Sequence, residues 1–191
     1  MRKTILLLAL AFAFVCGAQA QSLTLKDIYI RDPFILPVAE EGVYYMYGSR
    51  CWHSPQLGFD VYTSTDLENW SEPKSIFEVT SDFWGTRDGW APEVHYYNGK
   101  FYLFASFTSD TTCRGTAILI SDSPEGPFVP HSEGAVTPKD WECLDGTLYV
   151  DKKGKPWMVF CHEWVQVGDG EICAIELTDD LRAAASEPKL L

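Results

Sequence analysis

The sequence predicts an all-β fold, and within that class a β-propeller of which about three blades are present. Two observations carry this. Apolar and polar residues alternate with a period of two in "KFYLFAS" (100–106), "GTAILIS" (115–121), "PWMVFCH" (156–162) and "EICAIEL" (171–177), each bounded by Gly, Asn or Asp turns. The pattern also recurs along the chain. Gly42, Gly99 and Gly154 each open a turn before an aromatic- or Met-containing strand, 57 and 55 residues apart, and Ser64, Ser121 and Thr178 each close an alternating strand, 57 and 57 residues apart. A repeat of about four strand-length segments is the unit of a propeller blade. Closed propellers typically have at least four blades, so the array is expected to continue beyond Leu191, where "EPKLL" reads as a strand cut in its middle.

Taken in order, the chain begins with a segment that is not part of the fold. Arg2 and Lys3 precede an apolar run from Ile5 to Val15, and "AQA" at 18–20 is a small-residue cleavage pattern, so residues 1–20 are expected to be a signal peptide of a secreted or periplasmic protein. The run is short for a membrane anchor. Residues 21–191 then form one propeller domain, long enough to bury roughly 70% of its unfolded surface. This domain holds all 27 acidic residues and all but two of the 15 basic ones, with no Lys/Arg cluster. Neither nucleic acid nor an anionic membrane is an expected partner. Its five cysteines lack CxxC spacing, and they read mainly as small buried hydrophobes. No metal ligand set is expected: the four histidines are scattered, and "HEWVQ" (162–166) has Gln166 where a zinc HExxH motif needs histidine.

Each blade start carries an acid. Asp32 in "IRDPF" precedes a proline, which holds it in extended rather than helical backbone, and Glu93 in "WAPEV" and Asp145 in "CLDGTLYVD" stand at what reads as the same place in the next two blades. Innermost strands crowd their side chains toward the propeller axis, so these three carboxylates are expected to share one pocket. Like charges in one pocket raise at least one pKa. Hydrolysis of a glycosidic bond needs that combination: one ionised carboxylate as base and one protonated carboxyl as acid. Asp as a plain turn residue is the bland alternative for Asp32 and Asp145.

Together "RDPFILP", "GVYYMYGS", "STDLENW", "WAPEVHYYNGKFYLFAS", "SDSPEGPF" and "LDGTLYVDKKGKPWMVF" resemble glycoside hydrolase family 43, five-bladed propellers that include arabinofuranosidases, arabinanases and xylosidases. The resemblance implies an inverting, single-displacement hydrolysis of arabinofuranosyl or xylosyl linkages in plant polysaccharides. It makes Asp32 the general base that activates water and Asp145 the aspartate that raises the acid's pKa and orients it. The family's acid is a glutamate of the fourth blade, which this chain does not reach. Glu163 in "CHEWV" is the nearby substitute, although a strand-end glutamate in a solvated turn is the plainer reading. The resemblance suggests no organic cofactor, and the family histidine for a channel calcium would lie beyond residue 191. Two alternatives stand beside it: a non-catalytic carbohydrate-binding propeller that lost its acid, and a family 32-like fructoside hydrolase suggested by "RDP" and by Glu142 before Cys143. For the latter the motif order is wrong, because a nucleophile motif should precede "RDP". Trp90, beside the second blade's "APE", is the expected stacking platform for a sugar, with Trp84 and Trp164 behind it and Arg50 or His53 as further hydroxyl contacts. Trp70 and Trp157 read as packing residues.

Overall fold

A computed structural model describes residues 22–191 apart from 52, 53 and 55. The expected signal segment and His53 lie outside these residues. Three four-stranded antiparallel sheets follow one another, each a simple meander: β1 (Ile30–Val38), β2 (Val43–Arg50), β3 (Gly58–Ser64) and β4 (Lys74–Glu78); then β5 (Arg87–Tyr97), β6 (Lys100–Ser109), β7 (Thr112–Ser121) and β8 (Val129–Pro130); then β9 (Cys143–Val150), β10 (Pro156–His162), β11 (Glu171–Glu176) and β12 (Lys189–Leu190). A one-turn helix, α1 (Trp164–Val167), joins β10 to β11. Among the described residues no helix is long and apolar enough to cross a membrane.

The repeat seen in sequence is a repeat of turns. Gly42, Gly99 and Gly154 close the first hairpin of each sheet with φ of +66°, +82° and +81°. At β5–β6 both turn residues, Asn98 (φ +47°) and Gly99, are left-handed, the geometry that matches strand twist in a two-residue hairpin. At the other recurring position a hydroxyl caps the turn after the third strand. Ser64 Oγ accepts the N–H of Leu67 at 2.8 Å, Ser121 Oγ that of Ser123 at 3.1 Å, and Thr178 Oγ1 that of Arg182 at 3.1 Å.

Alternation along β6 divides the core. Leu103, Ala105 and Phe107 face sheet 1, where Phe59, Phe77, Phe83 and Phe107 meet with ring centroids 4.9–6.2 Å apart, and Tyr102 and Phe104 face sheet 3 against Met158, Phe160 and Ile175. The middle sheet is therefore buried on both faces, and for that reason β6 is an almost continuous apolar run rather than the apolar–polar alternation expected there. The outer face of sheet 1 is covered by residues before and at the start of β1: Leu23, Ile28 and Ile30 pack on Met46, Tyr62 and the buried Trp70, and Leu23 and Trp70 exchange backbone hydrogen bonds of 2.8 Å. On the face of sheet 3 turned away from sheet 2, Tyr149 and Ile172 are exposed. All five cysteines here are free thiols; Cys143 and Cys173 are buried, and Cys51, Cys113 and Cys161 are half-buried.

Candidate active site

The innermost strands β1, β5 and β9 share one irregularity. In β1, Arg31 pairs with Ser49 and Phe34 with Tyr47, so Asp32 and Pro33 together oppose Gly48. In β5, Trp90 pairs with Ser106 and Glu93 with Phe104, leaving Ala91 and Pro92 opposite Ala105. In β9, Leu144 pairs with Cys161 and Thr147 with Val159, leaving Asp145 and Gly146 opposite Phe160. Each is a β-bulge, an extra residue that bends the strand and re-aims a side chain. Its first residue is left-handed in all three, Asp32 at φ +51°, Ala91 at +44° and Asp145 at +56°, which for Asp32 overturns the extended backbone expected before Pro33. Such backbone is strained by about 1–3 kcal/mol for a residue other than glycine, and Asp tolerates it better than most.

This register corrects one expectation. The residue equivalent to Asp32 and Asp145 in the second sheet is Ala91, and Glu93 lies two residues further on, at the place of Phe34 and Thr147. Glu93 faces His95, with Oε2 3.2 Å from Nε2, and Thr147 Oγ1 is 3.4 Å from the same nitrogen. Burial alone would raise the Glu93 pKa, but hydrogen bonds from His95 and Thr147 outweigh it and hold the carboxyl below its usual range.

The second bulge residue differs between sheets for a steric reason. Pro33 and Pro92 lack the N–H that a bulge leaves out of the ladder. In the third sheet a Cβ on Gly146 would lie 2.5 Å from Thr116 Oγ1 and 2.8 Å from Met158 Sδ. Gly146→Ala is expected to cost about 1–3 kcal/mol, the usual range for overpacking. It should appear as a lower urea midpoint with an unchanged slope. A midpoint equal to wild type would show that the contact relaxes freely.

Asp32 and Asp145 are both open to solvent on one side. Asp145 is walled by protein on the other, and this loss of surrounding water, followed by the charges of Asp32, Glu93 and Glu163, raises its pKa; Arg114 opposes the rise. The charges of Asp32 and Glu93 are therefore felt at Asp145, and so is that of Glu163. The expectation of a solvated turn for Glu163 is overturned, since the residue is 5% exposed. It ends β10 as the N-cap position of α1, its N–H donates to the Glu142 carbonyl at 2.8 Å, and its carboxylate accepts from Arg114 Nη1.

Arg114 organises this side of the site. Its Nη2 donates to Asp88 Oδ2 at 3.0 Å, its backbone N–H donates to Glu142 Oε2 at 2.8 Å, and its guanidinium lies over the Trp90 ring, 4.4 Å from the centroid. One face of the half-buried Trp90 is thus covered by a cation. Neither Arg114 nor Asp88 was singled out from sequence, yet a signal existed: Arg114 is the lone charge in the strand "TCRGTAILIS". Gln166 in "HEWVQ" also has a role. Its Oε1 receives the Glu142 N–H at 2.7 Å and His162 Nε2 at 2.9 Å, which places the imidazole proton on Nε2, while Trp141 stacks on the ring at 4.1 Å.

The remaining sequence candidates are engaged elsewhere or stand at the rim. Trp84 packs on Phe83 and Phe107 in the first core. Trp164 is exposed on α1. Arg50 binds both oxygens of Asp60 at 3.0 Å through Nε, and Nη2 donates to Ser75 Oγ at 2.7 Å, so it makes no free hydroxyl contact. Trp157 carries Lys189 at 4.7 Å over its ring. A concavity of about 1040 Å³ lies between sheets 2 and 3, lined by Arg114, Val136, Ile175 and Arg182 among others, and it does not contain Asp32, Glu93 or Asp145. Among the described residues no group of three or more His, Cys, Asp or Glu is placed to hold a metal ion.

Comparison with known proteins matches this arrangement. The family model described as glycosyl hydrolases family 43 matches residues 27–191. The extracellular endo-alpha-(1->5)-L-arabinanase 1 of Bacillus subtilis (strain 168) is 30% identical over 168 residues, covering 81% of this chain and 50% of its own. The extracellular exo-alpha-(1->5)-L-arabinofuranosidase ArbA of Cellvibrio japonicus (strain Ueda107) is 26% identical over 195 residues, covering 94% of this chain and 51% of its own. Among solved structures, the endo-arabinase of Bacteroides thetaiotaomicron VPI-5482 superposes with a TM-score of 0.81 at 44% identity, over 89% of this chain and 58% of that one. The chain spans about half the length of the curated relatives it matches.

Proposed function

The chain belongs to family 43 of the glycosyl hydrolases, and on that premise we propose that the protein is an exported enzyme hydrolysing arabinofuranosyl linkages, or xylosyl linkages, in plant polysaccharide with inversion at the anomeric carbon. The observation that carries the reading is the pair of equivalent bulges: Asp32 and Asp145 are presented by the same strained backbone device, with the charge of Asp32 felt at Asp145. The arabinanase names borne by the Bacillus and Bacteroides relatives favour arabinofuranosyl substrates.

Asp32, solvent-facing, takes the proton of a water that attacks the anomeric carbon. Asp145 acts on the acid rather than on the water: its negative charge beside a second carboxyl group opposes ionisation there and so helps that group keep its proton until the leaving oxygen needs it. Trp90 is the stacking platform for the sugar ring, and Glu93, held by His95, contacts hydroxyl groups. The acid is not Glu163. Its carboxylate is tied to the Arg114 guanidinium and only 5% of the residue is exposed, which leaves it poorly placed to meet a leaving oxygen. We assign the acid to a residue outside this chain, with its carboxyl roughly 6.5–9.5 Å from that of Asp32.

Full-length protein is expected to release 4-nitrophenol from the arabinofuranoside and to give the inverted anomer of arabinose by proton NMR. Binding of arabinan without turnover would favour a carbohydrate-binding propeller instead. Residues 21–191 alone are expected to be inert, and Glu163→Gln in the full-length protein should change kcat by less than about tenfold, below the usual worth of a general acid. Turnover by residues 21–191 that Glu163→Gln abolishes would move the acid into this chain.

A further inference from the structure

Two serines hold the same place in successive sheets. Ser49 pairs with Arg31 and Ser106 with Trp90, each opposite the residue just before its own sheet's bulge. Their hydroxyls serve the neighbouring sheet. Ser49 Oγ accepts the Ala91 N–H at 2.9 Å, and Ser106 Oγ accepts the Asp145 N–H at 3.0 Å. Ser49 is 2% exposed and Ser106 is fully buried. A bulge disrupts the ladder that would otherwise pair this amide, and a buried N–H without a partner is costly, so each hydroxyl supplies what the strand withholds.

We propose that Ser106 is the positioning residue for Asp145: its hydroxyl pins the amide at the root of the bulge and so fixes where the carboxylate points. An aspartate at φ +56° has a lower-energy backbone available on the other side of the map. Like charges on Asp32, Glu93 and Glu163 push its carboxyl outward, and solvent on the open side would receive it. The hydrogen bond from the Asp145 amide opposes both. Ser49 makes the same bond to a residue without charge, so it separates loss of the bond from loss of the carboxylate's position. In the third sheet Cys161 pairs with Leu144 at the equivalent place, which shows that the site in the strand accepts sulfur. The catalytic consequence rests on the hydrolase reading above; the pinning itself does not.

The test uses full-length protein with Ser106→Ala, Ser106→Cys and Ser49→Ala. The Asp145 carboxyl is titrated by carbon-13 NMR, assigned with Asp145→Asn, and kcat and KM are measured on 4-nitrophenyl arabinofuranoside across pH. Ser106→Ala is expected to return the Asp145 transition toward that of an ordinary aspartate and to lower kcat about tenfold to a hundredfold, as a misplaced group does, with KM moving less than about threefold. Ser106→Cys, a weaker acceptor of similar size, should lie between alanine and wild type, and it reads the same effect where the alanine variant does not fold. Ser49→Ala should leave the Asp145 transition in place. A wild-type transition in Ser106→Ala or Ser106→Cys overturns the proposal. A moved transition with unchanged kcat upholds the pinning and removes Asp145 from the chemistry. Absence of turnover by wild type defeats the hydrolase reading, while the titration still decides the role of Ser106.

Discussion

Asp32→Asn in the full-length protein should lower kcat by about 10²–10⁴, the usual worth of a positioned general base, with the fold intact. Asparagine is the informative choice because it tolerates the left-handed backbone of Asp32, φ +51°, nearly as well as aspartate. It therefore removes the proton acceptor and keeps the bulge. Asp32 is exposed, so the exchange leaves no buried group unpaired. Asp32→Ala removes the same carboxylate but adds backbone strain, and the two variants should share the rate defect while alanine alone loses thermal stability. An asparagine variant with wild-type kcat would reduce Asp32 to a turn residue and end the base assignment.

Asp145→Asn is expected to act in opposite directions on rate and stability. The rate should fall by about 10²–10³, since the acid loses the group that regulates its proton. Stability follows from the raised pKa of Asp145, caused by burial and then by Asp32, Glu93 and Glu163. The folded state holds this proton more tightly than the unfolded chain does. Stability is therefore lost as pH rises through the interval between the ordinary aspartate value and the raised one, and the loss is complete above it. Asparagine cannot ionise and escapes that loss. The variant should match wild type near pH 3 and melt higher at pH 7, by about 1–2 °C, because solvent on the open side screens the repulsion. A variant that melts lower than wild type at pH 7 would show that the Asp145 carboxylate is stabilised by its surroundings.

Much of this was legible in the chain because it rests on local chemistry. Period-two alternation, the glycines at 42, 99 and 154 and the hydroxyl-capped turns at 64, 121 and 178 are each settled within a few residues, and they recur because the sheets repeat. The matching backbone positions of Asp32 and Asp145 followed from that repeat. Glu93 was misplaced because a bulge inserts one residue into the count: "WAPEV" advertises a charge, yet pairing of Trp90 with Ser106 and Glu93 with Phe104 gives the bulge to Ala91. Glu163 was misjudged for another reason. Its burial depends on Arg114, which lies 49 residues earlier on a different sheet, and no local pattern reports so distant an ion pair.

Ala91 gives the recurring bulge a wider meaning. Its backbone already adopts the conformation that presents a carboxylate in the sheets on either side, φ +44° against +51° and +56°, and a buried serine already secures its amide. What reaches the axis from this blade is decided by one side chain, independently of the scaffold beneath it. A single exchange at Ala91 could therefore alter the charge presented by this sheet while the bulge and its serine stay as they are.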